Sequence, residues 1–506
     1  MAKVALICLY DNAALGIRNL SNALIENGHS VSVIHFKLPI QKKLDDFLRY
    51  PMLYENVHSN QSDRLDRYEF VLSGYNIDVN MWTHNEIHLL GDVLTRLMPD
   101  IVGISTRSVY GDYIDTILKQ IKVVGKALTI AGGFGASFDP DYYLRYLDYV
   151  CIGEGESTIV QLADSVDNGT DPRLSDNLVY KDNGKLIYNK LSKPDESLDY
   201  FFSPKFDSVE HIGIEHNTTF QMDPLLTMAI VKVPFYQNLY YTMIGKGCIG
   251  NCSFCAAGKF HNLYRMNNII LSKRRVRPIP SIIQELKIAT ARGNFKKIFF
   301  MDSFFVGPKK YLIDFFNAYE REIHVPFFAQ LHPRQVMSNP EILSLACRAG
   351  LSHTVVGIQS GSESVRKAIF NRNEPNSVIL EFSKLLSSFP SLSIDYHLLT
   401  HNPLEDDTAF EETLSLIAML PKKNAQLVLN RLRPFPGTEM YELLKSAARP
   451  NISVNQHQRF WLSLFRYFLD DKGFETLRKR CVGFNFGQMK ELFEYIRNRN
   501  RPDKES

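Results

Sequence analysis

Apolar and polar positions along this chain fall into two long series. Over the first 165 residues or so, the short apolar runs "KVALICLY", "HSVSVIHF", "DIVGIST", "ALTIAGG" and "YVCIGEGE" alternate with amphipathic stretches of helical period. Leu15 to Asn27 is one such helix, closed by Gly28, and another begins near Tyr110. Strands this apolar need cover on both faces, so the pattern predicts parallel βαβ units in a doubly wound sheet. Between His35 and Asn85 the alternation lapses into a polar, tyrosine-rich insertion. From about Asp167 to Gln237 it is irregular and reads as a linker with some short β structure.

The second series runs for about 200 residues: "LYYTMIG", "KIFFMDSFF", "PFFAQLH", "HTVVGIQSG", "SIDYHLLTH" and "AQLVLNRLRPFPG", with helical stretches between them. Six strands with intervening helices predict a partial (β/α) barrel, whose chemistry belongs at the carboxyl ends of the strands. After Ser446 the aromatic-rich stretch "FWLSLFRYFLDD" reads as a helical cap over the barrel. The expected division is therefore an α/β domain at 1–165, a linker at 166–237, a barrel at 238–446 and a helical cap at 447–506. At 506 residues the chain is long enough for several cores.

Composition adds little to this picture: 45% apolar and 22% charged residues are an ordinary globular balance. A net charge of +3 argues against nucleic acid or an anionic membrane as the main partner. The basic run "SKRRVR" (Ser272 to Arg277) reads as a solvated loop before a helix, with a phosphate-bearing substrate as the minority reading. The apolar run at the N-terminus ends at Asp11, as a core strand does, and no segment approaches the roughly 18–20 apolar residues of a membrane span. Cys8, Cys151, Cys347 and Cys481 are scattered, which argues against a disulfide framework and for a reducing cytoplasm.

Glycine-rich turns follow several strands of the first series: "DNAALG", "STRSVYGD", "AGGFGAS" and "GEGES". Glycines at the carboxyl ends of an open sheet let a ligand approach the backbone. None is G-x-G-x-x-G, so a nicotinamide cofactor is not the leading reading.

The densest chemical signal is "GKGCIGNCSFCAAG", with Cys248, Cys252 and Cys255 in C-x3-C-x2-C spacing. Thiolates packed this closely repel unless a metal neutralises them, so the loop reads as a metal site. A zinc site would take His261 as its fourth ligand. An iron–sulfur cluster with four irons would leave one iron without a protein ligand.

C-x3-C-x2-C with an aromatic, Phe254, before its last cysteine resembles the signature of the radical S-adenosylmethionine (SAM) superfamily. "FMDSFF", "VGIQSGSESVRKAI" and "RPFPGTEMYE" fall where that superfamily's second, fourth and sixth strands end. The preceding domain is similar to the Rossmann-like cobalamin-binding domain many members carry, through "ALG", "VGIST", "AGG" and "CIGEGE". The resemblance covers about residues 1–445.

It implies a 4Fe-4S cluster on Cys248, Cys252 and Cys255, with SAM chelating the fourth iron. Phe254, Met301, Asp302, Ser303, Arg334, Gln359 and Ser360 would meet SAM, with Asp302 the carboxylate near its amino group and Arg366 a further carboxylate partner. Cobalamin would rest on Leu15, Gly16, Ser105, Arg107, Ser108, Gly132, Gly133, Gly153 and Glu154, without a histidine ligand to cobalt. "HNPLEDD" departs from the family's usual fifth-strand pattern. The implied activity is radical methyl transfer to an unactivated carbon or phosphorus of a small-molecule, peptide or protein substrate, with an electron donor such as flavodoxin or ferredoxin. A non-methylating radical SAM enzyme and a zinc-stabilised binding protein are the alternatives.

Overall fold

The computed structural model describes residues 1–9, 11, 13–37, 69–72, 75–78, 82–106, 114–123, 125–198, 209–225, 238–272, 274–293, 295–303, 305, 307–432, 435–447 and 453–499. Arg107, Ser108, Tyr110 and most of the tyrosine-rich insertion lie outside the described residues.

Five parallel strands open the chain, Lys3–Leu9, Ser30–Phe36, Ile101–Ser105, Leu128–Gly132 and Tyr149–Cys151, matching the apolar runs. Alternate side chains serve opposite faces, as strand geometry requires. Ala5, Ile7 and Leu9 pack into one core with the helices His84–Leu97 and Ile114–Val123. Val4, Leu6 and Cys8 pack into another with Leu15–Glu26 and Glu156–Asn168. Two-sided cover of this kind is why the strands read as continuous apolar runs.

The stretch read as a linker joins the same sheet. Glu210–Glu215 lies parallel to Ser30–Phe36, Thr218–Gln221 pairs with it, and the hairpin Leu178–Asp182 and Lys185–Tyr188 extends the opposite edge, giving nine strands in all. Thr218–Gln221 and Lys185–Tyr188 are the two edges of this sheet, and exposed edge strands carry too few apolar residues to announce themselves in sequence.

The second unit is a six-stranded parallel sheet in sequence order, Leu239–Thr242, Lys297–Phe300, Phe327–Gln330, Leu351–Gln359, Ser393–Thr400 and Ala425–Arg431. Helices follow the strands, among them Ile279–Arg292 and Lys309–Glu322. The core is strongly aromatic, with Phe299 stacked on Phe328 at 4.1 Å between ring centroids.

Three helices, Gln456–Phe468, Asp471–Arg480 and Phe486–Arg499, form the C-terminal cap. Phe460, Trp461, Phe465 and Tyr467 are buried in the barrel's own core, so the aromatic stripe of this cap is packing. No helix among the described residues is long and apolar enough to cross a membrane.

Candidate active site

The cysteine loop leaves the first barrel strand through a short ribbon in which Gly245–Lys246 pairs with Arg275–Val276. Gly247, at φ 94°, turns the chain in a conformation other residues rarely adopt, and Cys255 then caps the helix Ala256–Met266. Cys248, Cys252 and Cys255 are all partly buried, and the Gly250 N–H lies 3.3 Å from Cys248 Sγ. Burial raises the Cys248 thiol and pushes Cys252 up to about 11, the latter against the pull of nearby Arg372. Among the described residues, no group of three or more His, Cys, Asp or Glu side chains is arranged to hold a single metal ion. Zinc needs all its ligands within about 2.3 Å of one point, whereas a four-iron cluster spreads three cysteines over three irons. His261 lines the neighbouring cavity, which none of the three cysteines lines.

That cavity, of about 430 Å³, opens between the two units. Gly16, Ser105, Gly132, Gly133, Gly153 and Glu154, from the carboxyl ends of the first sheet, form one wall; Met243, Lys246, Gly247, Met301 and Ser303, from the barrel, form the other. Gly133 (φ 95°) and Gly153 (φ 83°) have no room for a side chain: a Cβ would lie 2.5 Å from the Thr106 carbonyl oxygen and 2.4 Å from the Tyr264 hydroxyl, respectively. Leu15 packs against the barrel core instead of lining the cavity. His35 is tied to Cys8 (3.3 Å) and His211 (3.2 Å), and burial pushes it down to about 3, while His29 lies against Asp164 and Asp167. Neither faces the cavity.

The run "SKRRVR" is not a solvated loop. The side chains of Arg274, Arg275 and Arg277 are 6%, 4% and 0% exposed, and each meets a carboxylate from another part of the chain: Asp302, Glu154 and Glu285. Burying a guanidinium demands such a partner. These carboxylates are remote or on another element, so the charge run alone does not show them. Lys246 is a second residue the sequence does not single out; its Nζ lies 3.3 Å from Glu154 Oε2 and 2.5 Å from Glu156 Oε1.

Around the barrel mouth, several expected SAM contacts are occupied by the protein itself. Asp302 is fully buried and accepts from the backbone N–H groups of Ile244 (2.9 Å) and Gly245 (3.0 Å), so its carboxylate holds the loop instead of facing an amino group. Arg366 donates to the carbonyls of Ser360 and Glu374 and to Asn376, which makes it a structural arginine. The Ser360 hydroxyl donates to Glu405 at 3.1 Å. Burial pushes Glu405 up to about 7. Gln359 sits at φ 71° where the fourth strand ends, its amide folded over Gly357. Phe254 packs edge-to-face on Phe370 at 5.3 Å, and Arg334 is largely exposed at the rim of a second cavity that Cys252 and Arg372 also line.

The profile of the radical SAM superfamily matches residues 242–417, from the end of the first barrel strand through the helix that follows the fifth. That stretch of the chain is thus similar to the radical SAM superfamily. It is 25% identical over 423 residues to an uncharacterized methyltransferase of Pyrococcus horikoshii, covering 80% of this chain and 83% of that one. It is 24% identical over 367 residues to bacteriochlorophyllide d C-8(2)-methyltransferase of Chlorobaculum tepidum, covering 71% and 70%.

In fold this chain is similar to the radical SAM methyltransferase TsrM of Kitasatospora setae, solved with tryptophan substrate and a SAM analog (TM-score 0.60, 15% identity, 93% of this chain and 84% of that one). It is also similar to the cobalamin-dependent SAM radical enzyme OxsB, solved with aqua-cobalamin and SAM (TM-score 0.62, 14% identity, 99% and 71%). The α/β architecture of a parallel-sheet domain, a radical SAM barrel and a helical C-terminus is shared with both.

Proposed function

We propose that this chain is a cobalamin-dependent radical SAM methyltransferase. One observation carries the reading: Gly247 and Ala257, which flank the cysteine triplet, line a glycine-walled cavity formed by the carboxyl ends of two parallel sheets. Loops at such ends are where these folds bind ligands.

The residues present fit the three groups implied. Cys248, Cys252 and Cys255 supply a three-thiolate set on a flexible glycine-rich loop, and Arg274 and Arg372 lie near enough to act electrostatically on their thiols. Gly133 and Gly153 give the cavity a bare backbone surface against which a corrin could lie. When bound, the reduced cluster supplies the electron that splits the sulfonium bond of SAM, and cobalamin supplies a carrier for the methyl group. The chain's own work is to position and to exclude water. Met243, Phe260, Met301 and Tyr264 make the wall nearest the loop largely apolar, and Asp302 fixes the loop against the second strand. Gln359, Ser303 and Arg334 are the polar side chains proposed to meet SAM. The chemistry of the methyl acceptor, carbon or phosphorus, is left to the substrate that fills the barrel mouth.

The test uses full-length protein purified and reconstituted without oxygen, then given hydroxocobalamin, SAM and a reductant. S-adenosylhomocysteine approaching about one equivalent per chain is the expected result. 5′-Deoxyadenosine alone would assign the chain to the non-methylating radical SAM enzymes, and neither product would overturn the enzyme reading.

A further inference from the structure

One residue of the first domain holds both ends of the cysteine loop, by its carboxylate at the entrance and its backbone N–H at the exit. At the entrance, Glu154 pairs with Lys246, two residues before Cys248, and with Arg275 on the opposing strand of the ribbon. At the exit, the Glu154 backbone N–H donates to the Tyr264 hydroxyl at 2.6 Å, and Tyr264 belongs to the helix that Cys255 caps. Glu156 adds a second acid to Lys246. Burial alone would raise the Glu154 carboxyl, but Lys246 and Arg275 outweigh it and hold it below the ordinary value, so it stays charged.

The same residues line the cavity. Glu154, Glu156, Lys246, Arg275 and Tyr264 all face it, and Gly153 and Gly155 on either side of Glu154 do so too. A ligand that presses on the Gly153–Gly155 turn therefore presses on the grip that sets the ends of the cysteine loop. Two states of that loop, ordered round a cluster or not, would present two different walls to the ligand.

We propose that Glu154 is a positioning residue that couples corrinoid binding in the cavity to cluster assembly on the loop; the inference rests on the cobalamin reading above. Coupling between two sites is reciprocal, so the cluster raises the affinity for the corrinoid by the same factor as the corrinoid raises that for the cluster.

The experiment measures hydroxocobalamin binding by absorbance to full-length protein, once with its cluster reconstituted and once after removal of iron by an anaerobic chelator. The ratio of the two dissociation constants is the readout. In the native sequence the clustered form is expected to bind at least about 5-fold more tightly, the lower end of ordinary coupling. In Glu154→Gln the ratio falls to near one, and Lys246→Gln, which removes the opposite charge, lowers it as well. A residue that served stability alone would change both dissociation constants by one factor and leave the ratio intact. A native ratio of one, or a ratio unchanged in both variants, overturns the coupling while leaving the corrinoid site standing. Absence of hydroxocobalamin binding in both forms overturns the corrinoid reading and the coupling together.

Discussion

The carboxylate of Asp302 accepts the backbone N–H of Gly245 at 3.0 Å, which bolts the end of the second barrel strand to the turn that opens the cysteine loop. The neighbouring Ile244 N–H and the Arg274 guanidinium complete its shell. Asp302→Asn puts an amide N–H₂ where a backbone donor already points, and leaves Arg274 without its buried countercharge. A broken buried pair costs about 3–5 kcal/mol. The expected outcome is a lower melting temperature together with incomplete iron incorporation on anaerobic reconstitution, read by metal analysis.

Replacing any one of Cys248, Cys252 and Cys255 by Ala should leave the fold standing, since each thiol is only partly buried. Iron should fall from about four per chain towards zero, with loss of the broad iron–sulfur absorbance. A variant that kept its full iron content would remove that cysteine from the site.

Glycines at the cavity divide into two kinds. Gly133→Ala forces a left-handed backbone and a contact of 2.5 Å with the Thr106 carbonyl, and should cost about 2–3 kcal/mol. Gly16 has nothing within 4 Å of the position a Cβ would take, and it lies in the first turn of a helix. Gly16→Ala should therefore melt no lower than the native chain while weakening hydroxocobalamin binding, because the added methyl faces the cavity. Thermal melts and absorbance titrations separate the two effects.

Glu405 gives a pH signature. Burial, reinforced by the neighbouring Asp406 and partly offset by Ser360, Arg459 and Thr413, raises it from 4.5 to about 7. Between those values the folded chain holds a proton that the unfolded chain has released. Its contribution to stability is thus full below pH 4.5 and is lost as pH rises to about 7, by about 3 kcal/mol. His332 and His397, both pushed down to about 4 by burial, act in the opposite sense below pH 6.5. The comparison is therefore native against Glu405→Gln at each pH. Glu405→Gln should gain relative stability as pH rises from 5 to 8 in thermal melts, and equal pH profiles would contradict the shift.

Much of this molecule was legible because its strands are buried on both faces. "KVALICLY" and "KIFFMDSFF" could be placed by apolar run length alone, and the cysteine triplet by spacing. What escaped was whatever depends on pairing across the chain. Thr218–Gln221, exposed at every position and polar except for Phe220, looks like loop until it is seen beside Glu210–Glu215. Asp302 was correctly placed at a strand end, yet its partners are backbone groups of Ile244 and Gly245, which no sequence pattern marks. Arg275 looked solvated because Glu154, its partner, lies 121 residues away.

The trio Arg274, Arg275 and Arg277 acts as a ruler between three pieces of the molecule, since Asp302, Glu154 and Glu285 belong to a barrel strand end, the first domain and a barrel helix. Anyone building a chimera that grafts a foreign N-terminal module onto this barrel must bring an acid to the place of Glu154. A module without one would strand a guanidinium in the seam, and the hybrid would fail at the join although each half is sound.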